Sequence, residues 1–294
     1  MNIGQKIKQL RLSKLMTQSD LAGDQITRNM LSSIEHGTAL PSLPTAMYIA
    51  ERLNVPVGYL LSRDEDEFIY RKMANIANIR RALKAGDHTG CLSLLSAFAA
   101  DRDDELSLIR AQCEYGVGMN AFQNGHLRLA VAAWDRALAA AGDTLFDTSW
   151  LRARIGVCFR YLSGLSSTLV SDVLDAEEIE QARALGEIPV EYIMACESLE
   201  RENTEAARDF VNTYGDSPYG ERLRALLLMR EGKYPEAQQV LEHLLVREEL
   251  TFGVLLYEVF GDLETCYRKN DDYKRAYEFS GSRIGLLERL LEEI

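Results

Sequence analysis

With 294 residues, 47% of them hydrophobic and 27% charged, the chain has an ordinary soluble composition and is long enough for two or three domains. No apolar run approaches the roughly 18 to 20 residues that span a bilayer, and the opening MNIGQKIKQLRLSK is charged and amphipathic rather than a signal peptide, so no membrane association and a cytoplasmic location are expected. The net charge of −12 is unevenly spread: Lys6, Lys8, Arg11, Lys14, Arg28 and Arg52 against Asp20, Asp24, Glu35 and Glu51 leave residues 1–62 at +2 and the rest at −14, a mildly basic head on an acidic body that is itself repelled by phosphates.

Ile3, Ile7, Leu10 and Leu15 mark a first helix. Thr17 caps a second, with Asp20 at its third position close to a capping box, and Leu21 and Ala22 form its inward side. Gly23 to Ile26 make a turn. Thr27 then caps a third helix, whose Leu31 and Ile34 lie three apart on the buried face. That leaves Arg28, Asn29, Ser32 and Ser33 on the other side, a stripe suited to the major groove because Arg pairs with guanine edges and Asn with adenine. Two capped helices alone describe equally well a helical hairpin with a polar outer face. The flanks weigh against that reading: a fourth helix carries Leu43, Ala46, Ile49, Ala50 and Leu53, and Leu60 and Leu61 close a fifth after Pro56. His36, Gly37 and Thr38, just past the third helix, suit either contact with the sugar-phosphate chain or a plain helix stop with Gly37 as left-handed cap.

Residues 3–61 resemble the XRE (Cro/repressor-like) helix-turn-helix family through Thr17-Gln18, Leu21-Ala22, Leu31-Ser32-Ser33-Ile34-Glu35, Gly37, Pro41-Ser42-Leu43 and Leu53-Asn54-Val55. The resemblance implies that Gln18 touches a phosphate, its amide and the helix N-terminus both pointing outward, and that Arg11 and Glu35 form a structural ion pair. The DNA-facing set is then Gln18, Thr27, Arg28, Asn29, Ser32, Ser33, His36 and Thr38. The turn is one residue shorter than the family's commonest form, which is similar to its peptide-sensing branch.

Ser62 to Glu67 is a charged stretch, so residues 63–70 read as a linker or the start of a linker helix between a DNA-binding domain over 1–62 and a second region over 71–294. That region shows helical segments separated by recurring breaks, Lys84-Ala-Gly-Asp, Gln123-Asn-Gly-His, Arg230-Glu-Gly-Lys and Lys269-Asn-Asp-Asp. Five residues after Gly86, Gly125, Gly232 and Asp271 stand the small Cys91, Ala130, Ala237 and Ala276; four further come Leu95, Trp134, Leu241 and Ser280. A small residue followed a turn later by a larger one suits closely packed helical hairpins. The pattern resembles the tetratricopeptide repeat, most clearly over 111–144 through Gly118, Ala130, Trp134 and Ala137, and again over 218–251 and 257–290; residues 72–105 match more loosely. Between Asp147 and Thr213 helices are evident but no register is, two degenerate repeats being one reading. An irregular helical bundle is the alternative to the solenoid.

The expected fold is therefore all-α: a five-helix helix-turn-helix domain followed by a tetratricopeptide-like α-solenoid. The combination resembles the peptide-responsive regulators of Gram-positive bacteria, which implies a short imported peptide, or another protein's segment, in the concave groove and a homodimer reading an inverted-repeat operator in double-stranded DNA. Groove candidates on first helices are Tyr115, Asn120, Arg154, Tyr161 and Tyr192, each with a plain structural reading beside it; Tyr267 reads as core. The acidic body would favour a basic peptide, although Glu177-Glu178 and Glu292-Glu293 read as solvated faces. The last helix, with Ile284, Leu286, Leu287, Leu290 and Leu291, is either a dimer contact or a cap on the final repeat. Cys91, Cys113, Cys158, Cys196 and Cys266 are scattered, and His36, His88, His126 and His243 lack ligand spacing, so buried free thiols, no metal and no cofactor are expected. No nucleophile-base pairing or phosphate loop suggests an enzyme; an adaptor whose head binds protein rather than DNA is the alternative to a transcription factor.

Overall fold

A computed structural model describes residues 2–62, 67–166, 188–247, 250 and 253–292, and they are helical with no strand among them. The chain divides into two compact units, Met1–Arg81 and Ala82–Ile294. In the first, α1 (Ile3–Ser13), α2 (Gln18–Ala22), α3 (Arg28–Glu35), α4 (Leu43–Arg52) and α5 (Val57–Leu61) surround a core of Ile7, Leu21, Ala22, Leu31, Ile34, Ile49, Ala50, Leu53 and Leu60. Helix α6 (Glu67–Lys84) follows. Leu15, Leu43 and Leu61 do not share that core. Leu15 lies past the end of α1 with φ at 56° and its side chain in solvent, while Leu43 and Leu61 are the first residue of α4 and the last of α5.

In the second unit, α7 (His88–Leu95) precedes the hairpin of α8 (Asp104–Gln123) with α9 (Leu127–Gly142), and α10 (Ser149–Leu165) follows. Three more hairpins come after: α11 (Ile188–Glu200) with α12 (Glu205–Tyr214), α13 (Pro218–Arg230) with α14 (Tyr234–Leu245), and α15 (Val254–Lys269) with α16 (Tyr273–Glu292). The expected caps are all left-handed: φ is 72° at Gly86, 80° at Gly125, 77° at Gly232 and 61° at Asp271. Each turn closes with the same bond, from the amide one residue past the cap to the carbonyl five residues before it, as in His126 to Ala121 and Lys233 to Leu228. Cys91, Ala130, Ala237 and Ala276 are buried, as are Leu95, Trp134 and Leu241, whereas Ser280 is half-buried. Gly118 makes room for Trp134: a Cβ there would lie 2.3 Å from the indole nitrogen.

A fifth turn of this kind sits where no register is readable. Glu202 has φ at 65°, the Asn203 amide bonds the Ser198 carbonyl, and the residue five further on, Ala207, is fully buried. A glutamate in the left-handed region carries none of the Gly or Asn signal that marks the other turns. The segment 167–187, with Glu177-Glu178, lies outside the described residues, as does Glu293.

First helices pack in succession, α8 on α10, α10 on α11, α11 on α13 and α13 on α15. The last helix turns back: α16 also packs on α9, Arg128 Nε donates to the Leu291 carbonyl at 3.0 Å, and Leu286 and Leu290 are wholly buried. Those two leucines therefore close the repeat array and offer no dimer contact; Ile284 is exposed. No helix among the described residues is long and apolar enough to cross a membrane.

Candidate functional site

The turn between α2 and α3 is fixed from several sides. Thr17 accepts from the Asp20 amide and Asp20 Oδ2 from the Thr17 amide, a complete capping box, and Thr27 accepts from the Met30 amide. From α4, Tyr48 donates to the Ala22 carbonyl at 3.0 Å and Arg52 to the Asp20 carbonyl at 2.6 Å. Behind it Arg11 grips Glu35 through two bonds of 2.7 and 2.9 Å and gives a third to the Met16 carbonyl. Burial opposes the ionisation of Glu35, but hydrogen bonds from Arg11 and Gln18 and the charges of Arg11 and Lys8 outweigh it, holding the carboxyl below the usual range. Gly4 lets α1 close on α3, since a Cβ there would sit 1.9 Å from the Ile34 carbonyl oxygen. Gly4→Ala is expected to cost about 1–3 kcal/mol by overpacking, read as a lower denaturant midpoint for the first unit; an unchanged midpoint would show that α1 shifts freely.

In the second unit a cavity of about 850 Å³ runs along α10, α11, α13, α15 and α16. At its wall the buried Arg222 is held by Asp262 (2.7 Å to Nε) and Glu258 (3.0 Å), and also donates to Tyr192 Oη, which in turn donates to Glu258 at 2.7 Å. Arg160 forms a two-pronged pair with Glu197. Burial, with the nearby Glu258 charge, pushes the Asp262 carboxyl up despite Arg222 and Arg283. Burial likewise keeps the Tyr161 and Tyr192 phenols protonated and pushes the Cys196 thiol up to about 12. A smaller aromatic pocket, lined by Phe122, Tyr161, Tyr192 and Tyr219, adjoins the cavity and shares Tyr161, Ile193 and Glu258 with it.

A helix-turn-helix family model matches residues 7–60. Residues 7–60 form a helix-turn-helix domain. Among curated proteins none matches the chain by sequence. Among solved structures it is similar to PlcR of Bacillus thuringiensis in complex with the peptide PapR7 and DNA, at 14% identity over 99% of each chain with a TM-score of 0.26. It is also similar to the apo form of the competence regulator ComR from Streptococcus vestibularis, at 15% identity over 97% of each chain with a TM-score of 0.28. ComR from S. thermophilus, in complex with DNA and its signalling peptide ComS, aligns at 16% identity over 97% of this chain and 99% of that one, TM-score 0.25.

Within the helix-turn-helix domain, Arg28 and Asn29 project from the first turn of α3 into solvent and make no hydrogen bond among the described residues. Ser32 and Ser33 are half-buried on the same helix. Gln18 departs from expectation: its amide nitrogen turns in to Glu35 at 2.9 Å instead of pointing outward, because the buried carboxylate has an oxygen to share. His36 caps α3, Gly37 is left-handed with φ at 74°, and Thr38 Oγ1 donates to the Ser33 carbonyl, so this trio stops the helix. Three of the domain's basic residues are engaged internally, Lys6 on Ser62, Arg11 on Glu35 and Arg52 on Asp20, which leaves Lys8, Lys14 and Arg28.

Of the groove candidates, Tyr161 and Tyr192 line the cavities. Tyr115 is core, packed edge-on to Trp150 with Arg154 stacked over both rings, and Asn120 is tied to Asn124 at the end of α8. None of these three lines either cavity. Sequence reasoning missed Arg160, Glu197, Arg222, Glu258, Asp262 and Arg283. A signal existed in Glu258 and Asp262, two like charges four apart on one helix, an arrangement that repels unless a cation lies between. The lining carries five arginines and four carboxylates, so the body's negative charge is not the cavity's.

Proposed function

We propose that the chain is a cytoplasmic, sequence-specific DNA-binding transcriptional regulator whose second region binds a peptide segment and thereby sets the arrangement of paired DNA-binding heads. The head spans residues 1–62, with 63–70 leading into the sensor over 71–294. The observation that carries the reading is the pair Arg28 and Asn29, presented at the start of the capped α3 with no hydrogen-bond partner among the described residues. Gln18, Thr27, Ser32, Ser33, His36 and Thr38 flank that pair and serve as positioning contacts, Gln18 through its carbonyl and the α2 N-terminus rather than its amide nitrogen. Three uncommitted basic side chains make a weak electrostatic footprint, which supports two heads on one inverted-repeat operator. The cavity supports the ligand: its volume, about 850 Å³, suits an extended segment, and Tyr161 on its wall and Tyr192 in the adjoining pocket stand among paired polar groups able to meet a peptide backbone.

Selection of random duplex DNA on the full-length protein at fixed salt tests this. An inverted repeat with half-sites about one helical turn apart is expected. Arg28→Ala and Asn29→Ala should each cost about 1–3 kcal/mol and relax the preference at one base position per half-site, with the helical spectrum unchanged. Recovery of no preferred sequence would favour a head that binds protein.

A further inference from the structure

The deep arginines of the cavity wall differ in one respect. Arg160 is paired with Glu197, Arg222 with Asp262 and Glu258, and Arg230 donates to the Leu199 carbonyl at 2.9 Å. Arg283 makes no hydrogen bond among the described residues. Its Nε is buried without an acceptor, and the nearest carboxylate oxygen, on Glu264, stands 3.9 Å from Nη1 while that residue's other oxygen takes Arg268. Beyond that long ion pair, packing holds the guanidinium. It lies over the Tyr257 ring, 4.6 Å from the centroid, and against Gly261, where a Cβ would come within 2.9 Å of Cζ. Ring and glycine together form a slot that fixes the plane of the fork, and the side chain remains 39% exposed.

A cation positioned by packing, with its Nε unfilled, on the same wall as Arg160, Arg222 and Arg230, which are already engaged, is prepared for an incoming anion. We propose that Arg283 receives a carboxylate of the ligand, either the C-terminal carboxylate of a peptide or an acidic side chain, through two parallel N–H···O bonds. This rests on the peptide reading above and places an acidic group of the segment at α16, opposite to the basic peptide that the body's net charge suggests.

The test uses full-length protein and random heptapeptide pools in four forms, with free or amidated C-termini and with or without Asp and Glu, bound peptides being recovered by gel filtration and counted by mass spectrometry. At least tenfold poorer recovery from the amidated, acid-free pool than from the others is expected. Arg283→Gln should abolish that difference and Arg283→Lys restore part of it, with tryptophan fluorescence and helical spectrum unchanged. Preference for the free, acid-free pool identifies the terminal carboxylate, and for the amidated, acid-containing pool the side chain. Equal recovery from all four pools, or an unchanged preference in Arg283→Gln, overturns the role of Arg283 while leaving peptide binding intact. No recovery from any pool overturns both.

Discussion

Glu35→Ala is expected to destabilise the helix-turn-helix domain by about 3–5 kcal/mol, enough to unfold much of it, because it strands the buried Arg11 guanidinium. The same substitution removes the acceptor for Gln18, so the start of α2 loses its tie to the end of α3. Both tryptophans, Trp134 and Trp150, lie in the second unit, which makes the result readable in the intact chain. Far-ultraviolet dichroism should show an early denaturant transition while tryptophan fluorescence keeps its midpoint, and operator binding should fail. Replacing both partners, Arg11→Met with Glu35→Leu, should recover most of the loss, since no charge is then left buried. A shift in Glu35→Ala of under about 1 kcal/mol, the size of an exposed pair, would mean that water reaches the pair. The pH dependence has a definite sign. The Glu35 carboxyl is depressed in the folded state, so its contribution is complete above the ordinary glutamate value of about 4.3 and is lost as pH falls through the lower folded value.

Arg222→Ala is expected to do comparable damage in the second unit, with the opposite pH signature. It leaves Glu258 and Asp262 one turn apart on α15 with their shared cation gone, a loss of about 3–5 kcal/mol that should move the tryptophan fluorescence midpoint and spare the first unit. The Asp262 carboxyl is already raised by burial beside Glu258; Arg222 and Arg283 oppose that rise, and Tyr192 and Cys196 stand on the facing helix. A raised carboxyl gives stability that is complete below the unfolded value of about 3.9 and is lost as pH rises through the folded one. Removing Arg222 pushes Asp262 higher still, so the variant should weaken more steeply than wild type between acid and neutral pH. Equal slopes would show that solvent, not Arg222, carries the carboxylates.

Much of the fold is legible in single residues. Thr17, Thr27 and Gly37 mark helix ends because the groups that end a helix are local, and the capped turns at Gly86, Gly125, Gly232 and Asp271 follow from the same fact. The turn at Glu202 has the same geometry with no such residue, so its hairpin is invisible until the backbone is seen. The DNA-facing pair is legible because Leu31 and Ile34 fix which side of α3 is buried, and Arg28 and Asn29 fall on the other. The cavity is not. Its wall gathers Arg160, Glu197, Arg222, Asp262 and Arg283 from five helices, and the residues with the most suggestive chemistry, Tyr115, Asn120 and Arg154, belong to a core contact and a helix end instead.

Local chemistry thus determined the helices, their caps, the repeat of hairpins and the exposed face of α3, since each depends on residues within a turn or two of one another. Tertiary structure decided what no local pattern carries: that Gln18 turns in to Glu35, that Leu286 and Leu290 close the array on α9, and that Glu258 and Asp262 share Arg222 while Arg283 keeps a long ion pair to Glu264 and a buried Nε without an acceptor. The reason is distance along the chain. Burial and ion pairing are settled by which helices meet, and Arg222 and Asp262 are 40 residues apart until α13 packs on α15.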